Sequence, residues 1–131
     1  MEEYSQNEII RFFESTVNPA LKGFESELLE RGWRIEDIQI LPAFWHGNTL
    51  TGEIWATKKG EQCFSYKIRV EPSPKDTPDS YHLQFKYGYC KGDVEKSDVT
   101  DHYKPNMYIV TADDFLEHIK EVYNNSIGMI R

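Results

Sequence analysis

The sequence predicts an α+β fold in which helices at both chain ends pack on one face of an antiparallel sheet of about five strands, in the order α-β-β-β-β-β-α. Two observations predict this fold class. Residues 62–70 and 81–89 alternate apolar and polar side chains without a fault, which is typical of strands with one buried and one wet face. Residues 5–32 and 111–123 repeat apolar side chains every three or four positions, as amphipathic helices do.

Length and composition are consistent with one domain spanning residues 1–131. A hydrophobic fraction of 39% predicts a packed core that needs no metal or disulfide. No apolar run approaches the roughly 20 residues that cross a bilayer, and the first residues lack the basic and apolar segments of a signal peptide. We therefore expect a cytoplasmic protein with no membrane partner.

The first helix has a capping box at its predicted start. Ser5 and Glu8 have the spacing at which both side chains satisfy free amide groups of the first turn. The buried stripe keeps its phase across Pro19 and contains Ile10, Phe13, Val17, Leu21, Phe24 and Leu28. We expect one kinked helix that ends at Gly32.

The last helix begins at a second capping box, formed by Thr111 and Asp114. Its predicted buried face contains Phe115, Leu116, Ile119, Val122 and Tyr123. One apolar face on each terminal helix indicates that both helices lie on the sheet.

Two further strands are predicted at residues 35–41 and 48–57. A three-residue turn, 58–60, with Gly60 in the left-handed conformation, keeps the apolar positions of 48–57 and 62–70 on one face. This turn predicts that Gly52 lies opposite Tyr66 and that Trp55 lies opposite Cys63.

The remaining segments are assigned by their turn residues and their apolar content. Residues 71–80 are rich in proline and predict a loop, and residues 91–105 predict another. The short apolar segment 107–110 is the predicted fifth strand.

The net charge of −7 is concentrated in the terminal helices. Residues 1–31 carry seven acidic and three basic side chains. Glu14 and Glu25 are candidate partner-binding residues on the outer face of the first helix. The negative electrostatic field of these helices attracts a basic protein partner and disfavours binding to nucleic acid and to anionic membranes. The alternative is that the acidic helix faces only keep the protein soluble.

The polar face of the sheet is the candidate ligand-binding surface. Its candidate residues are Trp55, Lys67, Arg69, His82 and Lys86. An indole among cationic side chains could stack on a base or receive a partner's aromatic or acidic group. The alternative is a solvated sheet face on which Trp55 is partly covered by residues 44–46.

The sequence contains no recognisable catalytic or cofactor motif. The spacings that bind phosphate, hold zinc or activate a nucleophile are missing. Asp101 and His102 could act as a general base and the residue that orients it. Adjacent positions in a predicted loop are weak evidence for such a pair, and we do not expect one. An acidic segment with Asp93, Glu95, Asp98 and Asp101 lacks the glycine and the terminal glutamate of a calcium loop. We expect no catalytic residues, no cofactor and no metal.

The two cysteines, Cys63 and Cys90, are expected to be reduced thiols, because they lack C-x-x-C spacing. If residues 62–70 and 81–89 pair as neighbouring strands, Cys63 and Cys90 lie close together on the polar face beside Trp55. A reversible disulfide is then geometrically allowed when the alpha carbons lie within about 7 Å.

Three sequence segments resemble a small bacterial or phage family of unassigned function. They are a V-x-P-A helix at residues 17–20, an F-x-Y-x-I-x-V strand at residues 64–70, and a closing helix after Thr111. The resemblance implies a bacterial or phage origin and transfers no active site. Terminal helices on one antiparallel sheet also resemble frataxin-like folds, in architecture alone.

These observations favour a non-enzymatic binding protein of the adaptor, inhibitor or immunity-protein kind that acts on a protein partner. The alternative is a nucleotide or single-stranded nucleic-acid binding module that uses Trp55, Lys67, Arg69 and Lys86. An enzyme with an unrecognised site has the least support.

Overall fold

Five antiparallel strands form one sheet in the order β1-β2-β3-β4-β5, so that each strand pairs with its neighbours along the chain. The computed structural model describes residues 2–73 and 81–130. The strands are β1 (Ile38–His46), β2 (Thr49–Lys58), β3 (Gln62–Pro72), β4 (Tyr81–Lys91) and β5 (Val94–Asp101). The helices are α1 (Glu2–Phe12), α2 (Asn18–Glu30) and α3 (Ala112–Asn125), which confirms the predicted α+β fold class.

The first helical segment passes Pro19 without a break. A π turn at Phe13–Val17 joins α1 to α2, and the Asn18 N–H donates to the Phe13 carbonyl, five residues back. Proline lacks an N–H, and its ring clashes with the carbonyl four residues earlier, so the wider turn gives Pro19 room. The predicted start at Ser5 is wrong, because α1 begins at Glu2.

The end of α2 follows the prediction that Gly32 stops the helix. Gly32 has a φ of 95°, and the Trp33 N–H donates across it to the Leu28 carbonyl at 3.0 Å. This is the hydrogen-bond pattern of a Schellman motif, which glycine favours because it adopts left-handed conformations without strain. The turn directs the buried Trp33 ring back into the core.

The start of α3 confirms Thr111 as the N-cap of the predicted capping box. The Thr111 hydroxyl accepts a hydrogen bond from the Asp114 N–H at 3.0 Å. Phe115, Ile119 and Tyr123 of this helix are buried.

The core lies between the helices and one face of the sheet, as predicted. The Phe24 ring lies 5.6 Å from Phe64, and the Phe115 ring lies 5.6 Å from Phe85. Tyr66 and Ile68 on β3 are fully buried. The opposite face of the sheet, which carries the other half of each strand, is called the outward face below.

The turn between β2 and β3 confirms the predicted faces but corrects the register. Gly60 has a φ of 82°, and Lys58 pairs with Gln62. Gly52 therefore lies opposite Ile68, and Trp55 lies opposite Ser65 rather than Cys63. Side chains alternate between the two faces of a strand, so the odd or even position of a residue fixes only its face. A shift of the pairing by two residues therefore leaves every side chain on its predicted face. The ring beside Gly52 is Phe13 and not Tyr66, since a Cβ at Gly52 would lie 3.0 Å from Phe13 Cε2.

The predicted fifth strand at residues 107–110 is wrong. Residues 107–109 form a turn, and the fifth strand is β5, inside the predicted loop 91–105. This edge strand is rich in charged residues and exposed over most of its length. Charge on an exposed edge protects a sheet against further pairing, and it removes the apolar alternation that reveals a strand in sequence.

Other boundaries also differ from the predictions. The first strand begins at Ile38, after a short 3₁₀ turn at Ile35–Asp37, and continues to His46. Glu71 and Pro72 of the predicted loop 71–80 belong to β3. The rest of that loop from residue 74 onward, with Pro74 and Pro78, lies outside the described residues.

Candidate functional site

All five residues predicted for the ligand-binding face lie on the outward face. They occupy four different rows, where a row is the set of residues that lie directly opposite one another on neighbouring strands. Trp55 lies opposite Ser65, one row from the pair formed by Lys67 and Lys86. Arg69 lies opposite Gln84, and His82 lies opposite Glu71. Rows two residues apart are separated by about 6.6 Å, which places the rows of Trp55 and His82 about 20 Å apart. These side chains therefore form a strip rather than one cluster.

A cleft of about 330 Å³ lies beside Trp55 on the outward face. The residues next to Trp55 in the same row are small, Ser65 on β3 and Gly88 on β4, and they leave space above the sheet. Its far wall is formed by Ser97 and Asp98 on β5. We call this the Trp55 cleft, and its lining is Glu53, Trp55, Thr57, Cys63, Phe64, Ser65, Gly88, Tyr89, Glu95, Lys96, Ser97 and Asp98.

The far wall of the Trp55 cleft is a β-bulge opposite Gly88. Tyr87 pairs with Val99, and Tyr89 pairs with Lys96, so β5 has an extra residue at this point. Asp98 has a φ of 50°, a left-handed conformation that aspartate tolerates better than most residues. A Cβ at Gly88 would lie 3.2 Å from the Lys96 carbonyl oxygen, so glycine allows the bulge to approach β4.

The charge in the Trp55 cleft is predominantly negative. Glu53, Glu95 and Asp98 contribute three carboxylates, and Lys96 contributes one ammonium group. The Trp55 indole N–H donates to Glu53 Oε2, which orients the ring. Trp55 remains 43% exposed, so part of its aromatic surface is accessible in this cleft.

The rest of the outward face is mixed in charge. A smaller cleft of about 240 Å³ lies at the other end and is lined by Thr49, Arg69, Glu71, His82 and Gln84. In that cleft the Thr49 hydroxyl donates to Glu71 at 3.0 Å. Lys67 lies between Glu53 and Lys86 in its row. The predicted cations thus alternate with acidic and amide groups.

A second cluster of titratable groups joins the sheet to α3. The Tyr66 hydroxyl donates to Asp101 Oδ2 at 2.5 Å, and His118 Nε2 lies 2.6 Å from the same oxygen. The Tyr103 N–H donates to Asp101 Oδ1 at 3.2 Å, and the Tyr103 ring stacks on His118 with centroids 3.8 Å apart. We call Tyr66, Asp101 and His118 the Asp101 network.

The Asp101 network perturbs the acidity of its members. Burial raises the pKa of Asp101, but the hydrogen bonds from His118 and Tyr66 outweigh burial and leave the pKa below its usual value. Burial, and then the neighbouring Asp101 carboxylate, raise the pKa of Tyr66. The histidine beside Asp101 is His118, whereas the adjacent His102 considered from sequence is exposed.

The Asp101 network joins residues of β3, β5 and α3. Among the described residues, His118 has no hydrogen bond to a serine, threonine or cysteine that could serve as a nucleophile. Within residues 2–73 and 81–130, no group of three His, Cys, Asp or Glu side chains could hold a metal ion. Tyr66 is fully buried, and its hydroxyl is engaged by Asp101.

The two predicted partner-binding glutamates differ in their surroundings. Glu14 is exposed within the π turn. Glu25 is half-buried on α2, and its Oε1 lies 3.9 Å from Lys22 Nζ.

None of the described helices is long and apolar enough to cross a membrane.

The sequence predicted Trp55 but missed the residues that enclose it. Glu53 and Gly88 are not among the predicted residues, and Glu95 and Asp98 are considered only as members of an acidic calcium-type segment, because the sequence does not reveal the register or the β5 bulge. One available signal was Gly88, since a glycine inside an alternating strand indicates a bulge or a close backbone approach.

No family model, curated protein or solved structure matches this chain.

Proposed function

We propose that this chain is a non-enzymatic binding protein, of the adaptor, inhibitor or immunity-protein kind, that receives a basic segment of a protein partner in the Trp55 cleft. The observation that carries the proposal is the half-exposed Trp55 indole, bonded to Glu53, in a cleft that Glu95 and Asp98 also line. An arginine side chain fits this chemistry, because its flat guanidinium group can stack on an indole and also pair with a carboxylate.

The charge of the whole chain supports the same class of partner. A net charge of −7 accelerates encounter with a basic protein and opposes encounter with a polyanion. The acidic first helix, with Glu14 and Glu25, adds to this field without forming part of the cleft. Two cysteines with no bond between them are compatible with the cytoplasm, which we propose as the location, in a bacterial or phage context.

A second candidate function is nucleotide or single-stranded nucleic-acid binding. Lys67 and Lys86 lie directly opposite each other, one row from Trp55, where a phosphate could lie while a base stacks on the indole. Glu53 borders both Lys67 and Trp55, and its carboxylate disfavours an anionic ligand at this point.

Binding of a fluorescent oligoarginine peptide and a fluorescent oligothymidine separates the two functions. We expect the peptide to bind the wild-type chain, and the Trp55→Ala change to weaken it by about tenfold or more, which corresponds to roughly 1.4 kcal/mol. Trp45→Ala is the matched control, because Trp45 is also exposed, at 37%, and lies outside the cleft. Preferential binding of oligothymidine, or equal effects of the two variants on the peptide, would contradict the proposal.

A further inference from the structure

Cys63 and Cys90 are directly opposite each other on neighbouring antiparallel strands. Directly opposed residues of an antiparallel pair have alpha carbons about 4.5–5.5 Å apart, which lies within the range that disulfides span. Both residues belong to the outward face, since they share the parity of Lys67 and Lys86. Both residues are half-buried, and their side chains are joined by a hydrogen bond.

The surrounding register holds the two strands in place. The β3–β4 pairing runs over eleven consecutive residue pairs, from Gln62 and Lys91 to Pro72 and Tyr81, without a shift. A bond between Cys63 and Cys90 therefore requires rotation of two short side chains and no sliding of the strands. One neighbour in the row is the Glu95 carboxylate, opposite Cys90.

We propose that Cys63 and Cys90 are a thiol-oxidation site that forms a reversible cross-strand disulfide within one chain. The proposal rests on the register of β3 and β4 and does not depend on the proposed binding function. Cys63 also lines the Trp55 cleft, so the new bond would lie in the wall of that cleft.

The oxidation balances with a peroxide as oxidant. One of the two cysteine sulfurs attacks a peroxide oxygen, the O–O bond breaks, and a sulfenic acid and one water form. The other sulfur then attacks the oxidised sulfur, the S–O bond breaks, and the second water leaves with the proton of the second thiol. Two thiols and one hydrogen peroxide give one disulfide and two waters, and a dithiol reductant reverses the oxidation by exchange.

The two thiols interact directly. Burial, and then the hydrogen bond with Cys90, raise the pKa of Cys63 to about 12. Either sulfur can take the first step, because the two residues lie directly opposite each other.

Peptide mapping after mild oxidation tests the site. The full chain is treated with hydrogen peroxide, the remaining thiols are alkylated, and trypsin is added without reductant. Cleavage after Lys59, Lys67, Lys86 and Lys91 releases residues 60–67 with Cys63 and residues 87–91 with Cys90. We expect these two peptides to be joined, with the loss of two hydrogen atoms and no covalent dimer, and to separate again with dithiothreitol.

Single variants complete the test. Cys63→Ser and Cys90→Ser each leave one thiol, and neither should form the joined peptide. Each variant should instead retain a trappable sulfenic acid at its remaining cysteine. Oxidation of wild type to two separate sulfinic acids, or to disulfide-linked dimers alone, would overturn the proposal.

Discussion

His118 on α3 and Asp101 at the end of β5 are joined by a contact of 2.6 Å between Nε2 and Oδ2. The same carboxylate oxygen accepts the hydroxyl of the buried Tyr66 on β3. Three elements far apart in sequence therefore meet at one half-buried carboxylate. The relationship explains how a charged edge strand is fixed to the helical layer.

Replacing Asp101 tests the structural role of this network. Asp101→Asn should lower the free energy of unfolding by about 1–3 kcal/mol, because Tyr66 and His118 lose a charged acceptor. Urea melts at neutral pH provide the measurement. Asp98→Asn is the matched control on the same strand, since Asp98 is exposed, and it should change stability by less than about 0.5 kcal/mol. Equal effects of the two variants would show that the Asp101 network does not stabilise the fold.

Alkaline pH should destabilise the protein through Tyr66. Below about pH 10 the phenol is protonated in both states, so its stabilising effect is fully present. Above that pH the unfolded chain loses the proton while the folded chain keeps it, because the folded pKa is raised by burial and by Asp101. Stability should therefore fall as pH rises, and Tyr66→Phe should flatten that fall. A variant with the wild-type slope between pH 9 and about 11 would contradict this assignment.

Phe85 tests the packing of the helices on the sheet. Its side chain is 1% exposed and contacts Phe115 of α3. Phe85→Ala should cost roughly 3–5 kcal/mol in denaturant melts, because it leaves a cavity in the core. Phe44 is the matched aromatic control, at 51% exposure, and its replacement by alanine should cost far less. A loss under about 1 kcal/mol at Phe85 would show that the layering is wrong.

Charge reversal on the first helix tests the contribution of its acidic surface. The double change Glu14→Lys and Glu25→Lys should slow association with an oligoarginine peptide by roughly several-fold at low salt and leave its dissociation rate nearly unchanged. The neutral pair Glu14→Gln and Glu25→Gln should give a smaller effect of the same sign. Stopped-flow fluorescence at two salt concentrations provides both rates. An association rate that responds to neither pair nor to salt would exclude long-range attraction by this surface.

Much of the fold could be predicted because burial imposes a period on the sequence. Residues 62–70 alternate since one face of β3 packs on helices, and Thr111 marks the start of α3 by its own hydrogen bond. β5 could not be found in this way, because an exposed edge strand is held by backbone pairing that any sequence can make. Its charged residues therefore resembled a loop.

The candidate site was less predictable, because it depends on which residues of neighbouring strands lie opposite each other. A periodic pattern along one strand does not contain that information. Parity placed Trp55, Lys67 and Lys86 on one face, but it could not fix the row of Trp55, which the turn at Gly60 shifts by two residues. The cleft itself requires the bulge at Asp98 and the bare backbone at Gly88. Asp101 and His118 are 17 residues apart in two elements, and no local pattern links them.

The most direct test of the central claim is a nitrogen-proton correlation spectrum recorded during titration with an oligoarginine peptide. We expect the Trp55 indole signal to shift together with the backbone amide signals of Glu95 and Asp98, while the Trp33 and Trp45 indole signals stay in place. A saturating titration that leaves the Trp55 signal unmoved, or that moves Trp45 instead, would contradict the assignment of the Trp55 cleft as the binding site.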